Sequence, residues 1–364
     1  MPEHATPDIV IRAALPEEGG ALLEAVGRID EETEFLGKPG EYRRWRDGVE
    51  ERLAVMRDKR SGIYLLALAG DEIIGFLGGF AGVFRRSGGI LYIGHVGLRR
   101  SWRGRGIGTR LFTAVEDWAR AGGAWRLELR VDEANERGQA LYRKRGFVSE
   151  GRIAEAVFLD GKAHAHYWMA KTLRPLDGAD WREIDVAPGR IEPAALAFRP
   201  IRPEEAGLVC RWERQLLAET SFHLKEPEEV LTETAMAQAL ADEQKAGRLA
   251  LAAVARDRDG ERVVGYGSIA KELGLRMQHD CLCTLSLLRT HWGVGIGRGL
   301  MARLEEWARE HGARRLSTSL LAHNRRGLRF AQAQGFAIEV DSPRFATIDR
   351  SVVRRLRLAK RLEA

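Results

Sequence analysis

The sequence predicts an α/β protein of the α+β kind, built as two copies of one domain, and three observations carry that expectation. The chain repeats itself at long range, each copy alternates strand-like and helical runs with hairpin turns, and each copy sets a glycine-rich turn between a strand and a helix. Between Val96 and Phe147 an ungapped offset of 189 gives identity at 20 of 52 positions, including Gly104/Gly293, Gly106/Gly295, Gly108/Gly297, Trp118/Trp307 and Asn135/Asn324. Upstream, an offset of 187 pairs Arg12 with Arg199 and Pro16-Glu17-Glu18 with Pro203-Glu204-Glu205. A period this long exceeds the roughly 20–50 residues of a solenoid unit, so each copy should be a whole domain. The expected division is residues 1–173, a linker over 174–197 rich in turn formers (Pro175, Gly178, Pro188, Gly189, Pro193), and residues 198–364.

Each element of the first copy follows from local pattern. Ile9 to Ala13 reads as a strand, and helical material is expected across Glu17 to Ile29 and Glu41 to Arg57. Strands Tyr64 to Ala69 and Ile73 to Phe80 meet at Gly70-Asp71, a hairpin signal. Ile90 to Leu98 is a strand. Ile107 to Ala121 is an amphipathic helix with Ile107, Leu111, Val115 and Trp118 on one face and Glu116, Asp117 and Arg120 largely opposite. A strand over Arg126 to Val131, a helix over Asn135 to Arg145 stopped by Gly146, and a hairpin through Asp160-Gly161 complete the copy.

Composition narrows the function. A chain with 45% hydrophobic and 30% charged residues is an ordinary globular protein. The net charge of +6 is spread among interspersed acids, and aromatic residues do not alternate with the arginines, so no nucleic-acid partner is expected. The longest apolar stretch, Ile73 to Phe84, is too short for a bilayer and is interrupted by four glycines. No export signal is visible at the N-terminus, and Cys210, Cys281 and Cys283 make an odd set that fits a reducing compartment, so a cytoplasmic location is expected. His279, Cys281 and Cys283 alternate on one strand face, but without a further ligand pair they read as small buried residues, and no metal is expected.

The chemistry is concentrated in Arg103-Gly104-Arg105-Gly106-Ile107-Gly108. Glycines there permit positive φ and a close ligand approach, and successive amides ahead of a helix N-terminus form a concave anion site suited to a pyrophosphate. A dinucleotide-binding turn is excluded by the G-x-G-x-G spacing and by the antiparallel-looking strands ahead of it. Together with the strand Gly94-His95-Val96-Gly97-Leu98, with Asn135, and with Ala140-Leu141-Tyr142-Arg143-Lys144-Arg145-Gly146-Phe147, the turn resembles the GCN5-related N-acetyltransferases, over nearly all of both copies.

That resemblance implies, in each copy, a mixed, mainly antiparallel central sheet flanked by helices, its central strands splayed to admit the pantetheine arm of acetyl-CoA. It implies that Val96, Gly97 and Leu98 hold the pantetheine and polarise the thioester. The amides of Arg103, Gly104, Arg105, Gly106, Ile107, Gly108 and Thr109 would take the pyrophosphate, and Asn135 would orient the pantetheine arm. Tyr142 occupies the general-acid position, with a phenol protonated at neutral pH. A base is sought among His95, Glu34, Tyr92 and Glu32. Each has a structural alternative: Tyr142 as packing, Asn135 as a helix cap, His95 as a core histidine, the glutamates as a solvated run.

The expected function is therefore transfer of acetyl from acetyl-CoA to a primary amine of a small molecule or peptide by direct attack in a ternary complex. In the second copy Trp292, Val294 and Ala331 replace Arg103, Arg105 and Tyr142, so that copy is expected to be degenerate, with weak or no acetyl-CoA binding. Many members of the family are homodimers, and a duplication can reproduce such an interface within one chain, so a monomer with an intrachain pseudo-dimer is expected. Two other readings stand beside this one: a non-catalytic acyl-CoA sensor or scaffold, and an enzyme active in its second copy through His279, His291 or His323.

Overall fold

The computed structural model describes residues 8–37, 40–181, 187–191, 193, 195–258 and 260–363. The chain divides into two compact units that meet in sequence between Leu176 and Asp177. In the first, β1 (Ile9–Ala13), α1 (Gly19–Asp30) and α2 (Val49–Asp58) precede the hairpin of β2 (Gly62–Ala69) and β3 (Glu72–Ala81). Then come β4 (Ile90–Leu98), α3 (Ile107–Ala121), β5 (Arg126–Asp132), α4 (Glu136–Lys144), β6 (Val148–Leu159) and β7 (Lys162–Thr172). The expected helix over Glu41 to Arg57 is broken, because Gly48 adopts φ +71° ahead of α2.

The strands of this unit run β1-β2-β3-β4-β5-β7-β6. Every neighbouring pair is antiparallel except β4–β5. That one parallel pair follows from connectivity: α3 carries the chain back over the sheet, and a crossover of this kind returns the next strand in the same direction. Two cores form, one on each face. Leu91, Ile93, Leu127 and Leu129 pack against Leu111, Phe112 and Val115 of α3, and Leu66 and Phe76 pack against Leu22, Ala25 and Ile29 of α1.

The second unit repeats the plan. A two-residue strand β8 (Ala179–Asp180) is followed by β9 (Ala195–Pro200), α5 (Ala206–Glu219), α6 (Glu233–Lys245), β10 (Leu249–Asp257), β11 (Gly260–Lys271) and β12 (Asp280–Leu287). Next are α7 (Ile296–Glu310), β13 (Arg315–Leu321), α8 (Arg325–Ala333), β14 (Ala337–Ile348) and β15 (Ser351–Arg361). Its order is β9-β10-β11-β12-β13-β15-β14, with β8 added on β15. Part of the expected linker is thus ordered: Ala179 and Asp180 pair with Ser351 and Val352, and β9 begins at Ala195.

Buried charges recur at equivalent places. Glu116, expected on the solvent face of α3, is only 2% exposed. Lys171 Nζ at 2.8 Å and Arg145 Nη2 at 3.0 Å compensate it from β7 and the end of α4. Glu305 and Lys360 repeat the pair in the second unit. Arg126 bridges Glu128 (Nε to Oε1, 2.8 Å) and Glu150, and Arg315 bridges Asp280 (3.0 Å) and Glu339. A side chain in such a bridge is costly to remove from one side only, because the opposite charges stay buried. Arg126→Met is expected to lower unfolding free energy by about 3–5 kcal/mol, measured by urea denaturation; a change below about 1 kcal/mol, the range of surface pairs, would show that these charges are solvated.

Candidate functional site

The site of the first unit starts from a break in the sheet. β4 and β5 pair only from Ile90↔Arg126 to Ile93↔Leu129, after which the strands part. On its other side β4 pairs with β3 as Ile93↔Gly79 and then His95↔Gly78, so Gly94 is an extra residue, a β-bulge. A bulge turns the following side chains over and takes backbone groups off the ladder. The consequence is visible in packing: Leu91 and Ile93 lie in the α3-side core, and beyond the bulge Val96 and Leu98 return to that side while His95 packs edge-on to Phe76, 6.4 Å between centroids. Gly97 has no room for a side chain, since a Cβ would stand 2.7 Å from the Phe76 ring.

The chain then turns into α3. Gly104 and Gly106 have φ +83° and +77°, and Gly106 caps the helix. No atom lies within 4 Å of where a Cβ on Gly106 would be, so the turn is open on that side. Such a cradle fits a pyrophosphate. The arginine side chains of the turn are engaged locally. Arg103 Nε donates to the Leu98 carbonyl at 2.9 Å, and Arg105 lies over the Trp102 ring at 4.8 Å. Arg137, not anticipated from sequence, brings Nη2 to 3.5 Å from the Cβ position of Gly104. Its retention as Arg326 in the second copy was the available signal.

The other predicted residues separate into distinct environments. Tyr142 is fully packed, its ring 5.4 Å from Phe112 and 6.1 Å from Phe147, and burial pushes its phenol up to about 12. Burial holds the His95 imidazole below its ordinary value, so the ring is neutral at pH 7. Asn135 caps α4, accepting from the Gly138 amide at 2.9 Å, and Gly138 is needed there because a Cβ would meet the Asn135 amide at 2.8 Å. Glu34 is exposed beyond α1. Glu32 accepts from Arg99 Nε at 2.6 Å and from the Arg100 amide. The sequence reading also missed Asp132, which ends β5 past the parting of the strands. His164 Nδ1 lies 3.5 Å and His166 Nε2 3.6 Å from its carboxylate. Burial pushes the Asp132 carboxyl up, and the hydrogen bond with His166 and the Ala134 amide outweigh it, leaving it below its ordinary value.

A scan of protein-family models matches the acetyltransferase (GNAT) family twice, over residues 28–147 and 214–336. The chain belongs to the GNAT acetyltransferase family. Its chemistry is acetyl-CoA-dependent acetyl transfer. Similar solved structures include a GNAT-family acetyltransferase from Streptococcus pneumoniae, 26% identical, covering 45% of this chain and 99% of that one at a TM-score of 0.42. A ribosomal-protein-alanine N-acetyltransferase from Brucella melitensis is 22% identical (46% and 99% covered, TM-score 0.41). A phosphinothricin acetyltransferase from Sinorhizobium meliloti, solved with acetyl-CoA, is 15% identical (46% and 88% covered, TM-score 0.41). A search of curated proteins gives no match. Among the described residues, no helix is long and apolar enough to cross a membrane.

The C-terminal GNAT domain keeps the framework but changes the contents. β12 and β13 part after Leu282↔Ser317, yet β12 pairs with β11 without a bulge. Trp292 Nε1 donates to the Leu287 carbonyl at 2.9 Å, the bond that Arg103 makes in the first domain. Cys281 and Cys283 are buried in the core, and burial raises their thiols to about 11 and about 12. A cavity of about 560 Å³ runs from the turn at Gly293–Gly297 into the gap between β12 and β13. Arg298, Arg326 and Arg329 line it. Arg326 is the counterpart of Arg137, and Arg298 and Arg329 stand where the first domain has Thr109 and Ala140, so the cavity is lined by cations although Trp292 and Val294 replace the two arginines of the turn.

Three histidines, His95, His291 and His323, are held below their ordinary value of 6.5, in each case first by burial. The unfolded chain therefore takes up protons that the folded chain refuses, and stability is full above about pH 6.5 and declines as pH falls below it. Urea midpoints at pH 7.5 and 5.5 are expected to show this loss, and His95→Asn to reduce it; an unchanged pH dependence would mean that His95 protonates freely in the fold.

Proposed function

We propose that the N-terminal domain acetylates a primary amine of a small molecule or peptide by direct attack on acetyl-CoA in a ternary complex. The observation that carries this reading is the Gly94 bulge at the mouth of the β4–β5 gap, which the C-terminal domain lacks. Val96, Gly97 and Leu98 stay paired with β3, and backbone groups of this run on the edge beyond the last β5 pair can hold the pantetheine and polarise the thioester oxygen as it gains charge. The amides of residues 103–109, with Arg105 and Arg137 nearby, suit the pyrophosphate. Asn135 spends its carbonyl on the helix cap and keeps its amide hydrogens for the pantetheine arm.

His95, neutral at pH 7, accepts a proton from the incoming ammonium directly or through water; the freed amine forms the C–N bond as the C–S bond breaks, and the second proton that its nitrogen then sheds passes through water to restore the Tyr142 phenol. Tyr142 donates to the departing sulfur. Its phenol, near 12, exceeds an ordinary thiol, but a thiolate leaving into the same apolar surroundings is made more basic by desolvation too. Glu34, exposed, is better suited to meeting a cationic acceptor than to taking its proton.

The cavity of the C-terminal domain supports a second reading: this domain also binds a CoA thioester, without the phenol needed for efficient turnover. Tyr142→Phe is expected to lower kcat roughly 100-fold with little change in the KM for acetyl-CoA, in an amine screen followed by thiol release. Equal turnover would remove Tyr142 from the acid role. Arg137→Gln is expected instead to raise that KM, and an unchanged KM would leave Arg137 outside the cofactor site. Titration of the whole chain with CoA is expected to give two sites; one site would confine binding to a single domain.

A further inference from the structure

We infer that the cavity of the C-terminal domain takes CoA thioesters whose acyl group is longer than acetyl. The inference rests on the reading that this domain binds CoA, and it concerns the part of the cavity lined by Met301, Ala331 and Phe336. In the N-terminal domain that place is filled: Phe112, Tyr142 and Phe147 pack in a mutual cluster, with centroids 5.4, 5.8 and 6.1 Å apart. At the offset of 189 the three positions become Met301, Ala331 and Phe336. All three line the same cavity as the glycine turn. Removal of one phenol has thus joined a core position to the cofactor cleft.

The walls select the occupant. Met301, Ala331 and Phe336 are buried members of the domain core, and Cys283 and Leu320 also face the cavity. The Cys283 thiol is held protonated by burial, so it offers an apolar surface and no nucleophile. At the other end stand the turn amides with Arg298 and Arg326. A ligand matching both ends is anionic at one extremity and aliphatic at the other. About 560 Å³ lies within the range of pockets built for small molecules, and an apolar chamber left empty costs core packing with no return.

The test is equilibrium titration of the full chain with acetyl-, butyryl- and hexanoyl-CoA. Two sites are expected, one of which tightens with chain length by about fourfold for each methylene buried, so roughly 15-fold from acetyl to butyryl. Ala331→Tyr, which restores the ring, is expected to abolish that gain and leave the other site unchanged. Met301→Phe serves as a second, milder filling should Ala331→Tyr fail to fold. Two sites with equal affinity for all three thioesters would overturn the inference, as would a gain that survives both substitutions. A single site per chain would overturn the underlying reading of CoA binding as well.

Discussion

The join between sheet and glycine turn in either domain rests on one bond at the end of a strand. The carbonyl of Leu98, last residue of β4, accepts from Arg103 Nε, and the carbonyl of Leu287, last residue of β12, accepts from Trp292 Nε1. Once β4 has left β5, its terminal carbonyl has no strand to bond, and a side chain from the following turn supplies the donor. The bond ties the end of the strand to the glycine turn in both domains. Guanidinium and indole share only a planar N–H donor on a bulky apolar body, which is what the position requires. The arginine looked like a phosphate ligand in sequence; its duplicate shows that the donor, not the charge, was kept.

A second tie anchors the same loop from outside. Glu32 accepts from the Arg100 amide, and Glu219 accepts from the Arg289 amide at 2.7 Å, so the acid after the first helix holds the turn in both copies. Two tethers on a short loop pre-organise its amides, which reduces the ordering cost when an anion binds. The cations around the turn differ except for Arg137 and its counterpart Arg326. The first domain has Arg105 and Arg137, and the second has Arg298, Arg326 and Arg329. Conservation of the scaffold with turnover of its charges is consistent with two domains that still handle related ligands.

Much of this was legible in the sequence. Strand and helix order followed from periodicity, the glycine turn from its spacing, and the Asn135 cap from the glycine three residues on, which the close amide requires. The misreadings have specific causes. Glu116 was assigned to solvent because helical periodicity cannot see Lys171 arriving from β7, 55 residues away in sequence. The linker was cut too generously because Pro and Gly mark turns without excluding a two-residue strand at Ala179–Asp180. Asp132 went unnoticed because its histidines are neighbours only across the β5–β7 ladder.

What the sequence determined by itself is the duplication, the family, the element order and the location of the glycine turn ahead of a helix, because these rest on local pattern and on identity between copies. Tertiary structure decided what each side chain does: that Arg103 and Trp292 are equivalent donors, that Gly94 is a bulge with no counterpart in β12, and that Ala331 opens a cavity instead of merely deleting an acid. Those outcomes depend on partners distant in the chain. A substitution read along the sequence registers a lost group, whereas the fold shows the space and the bonds that the loss leaves behind.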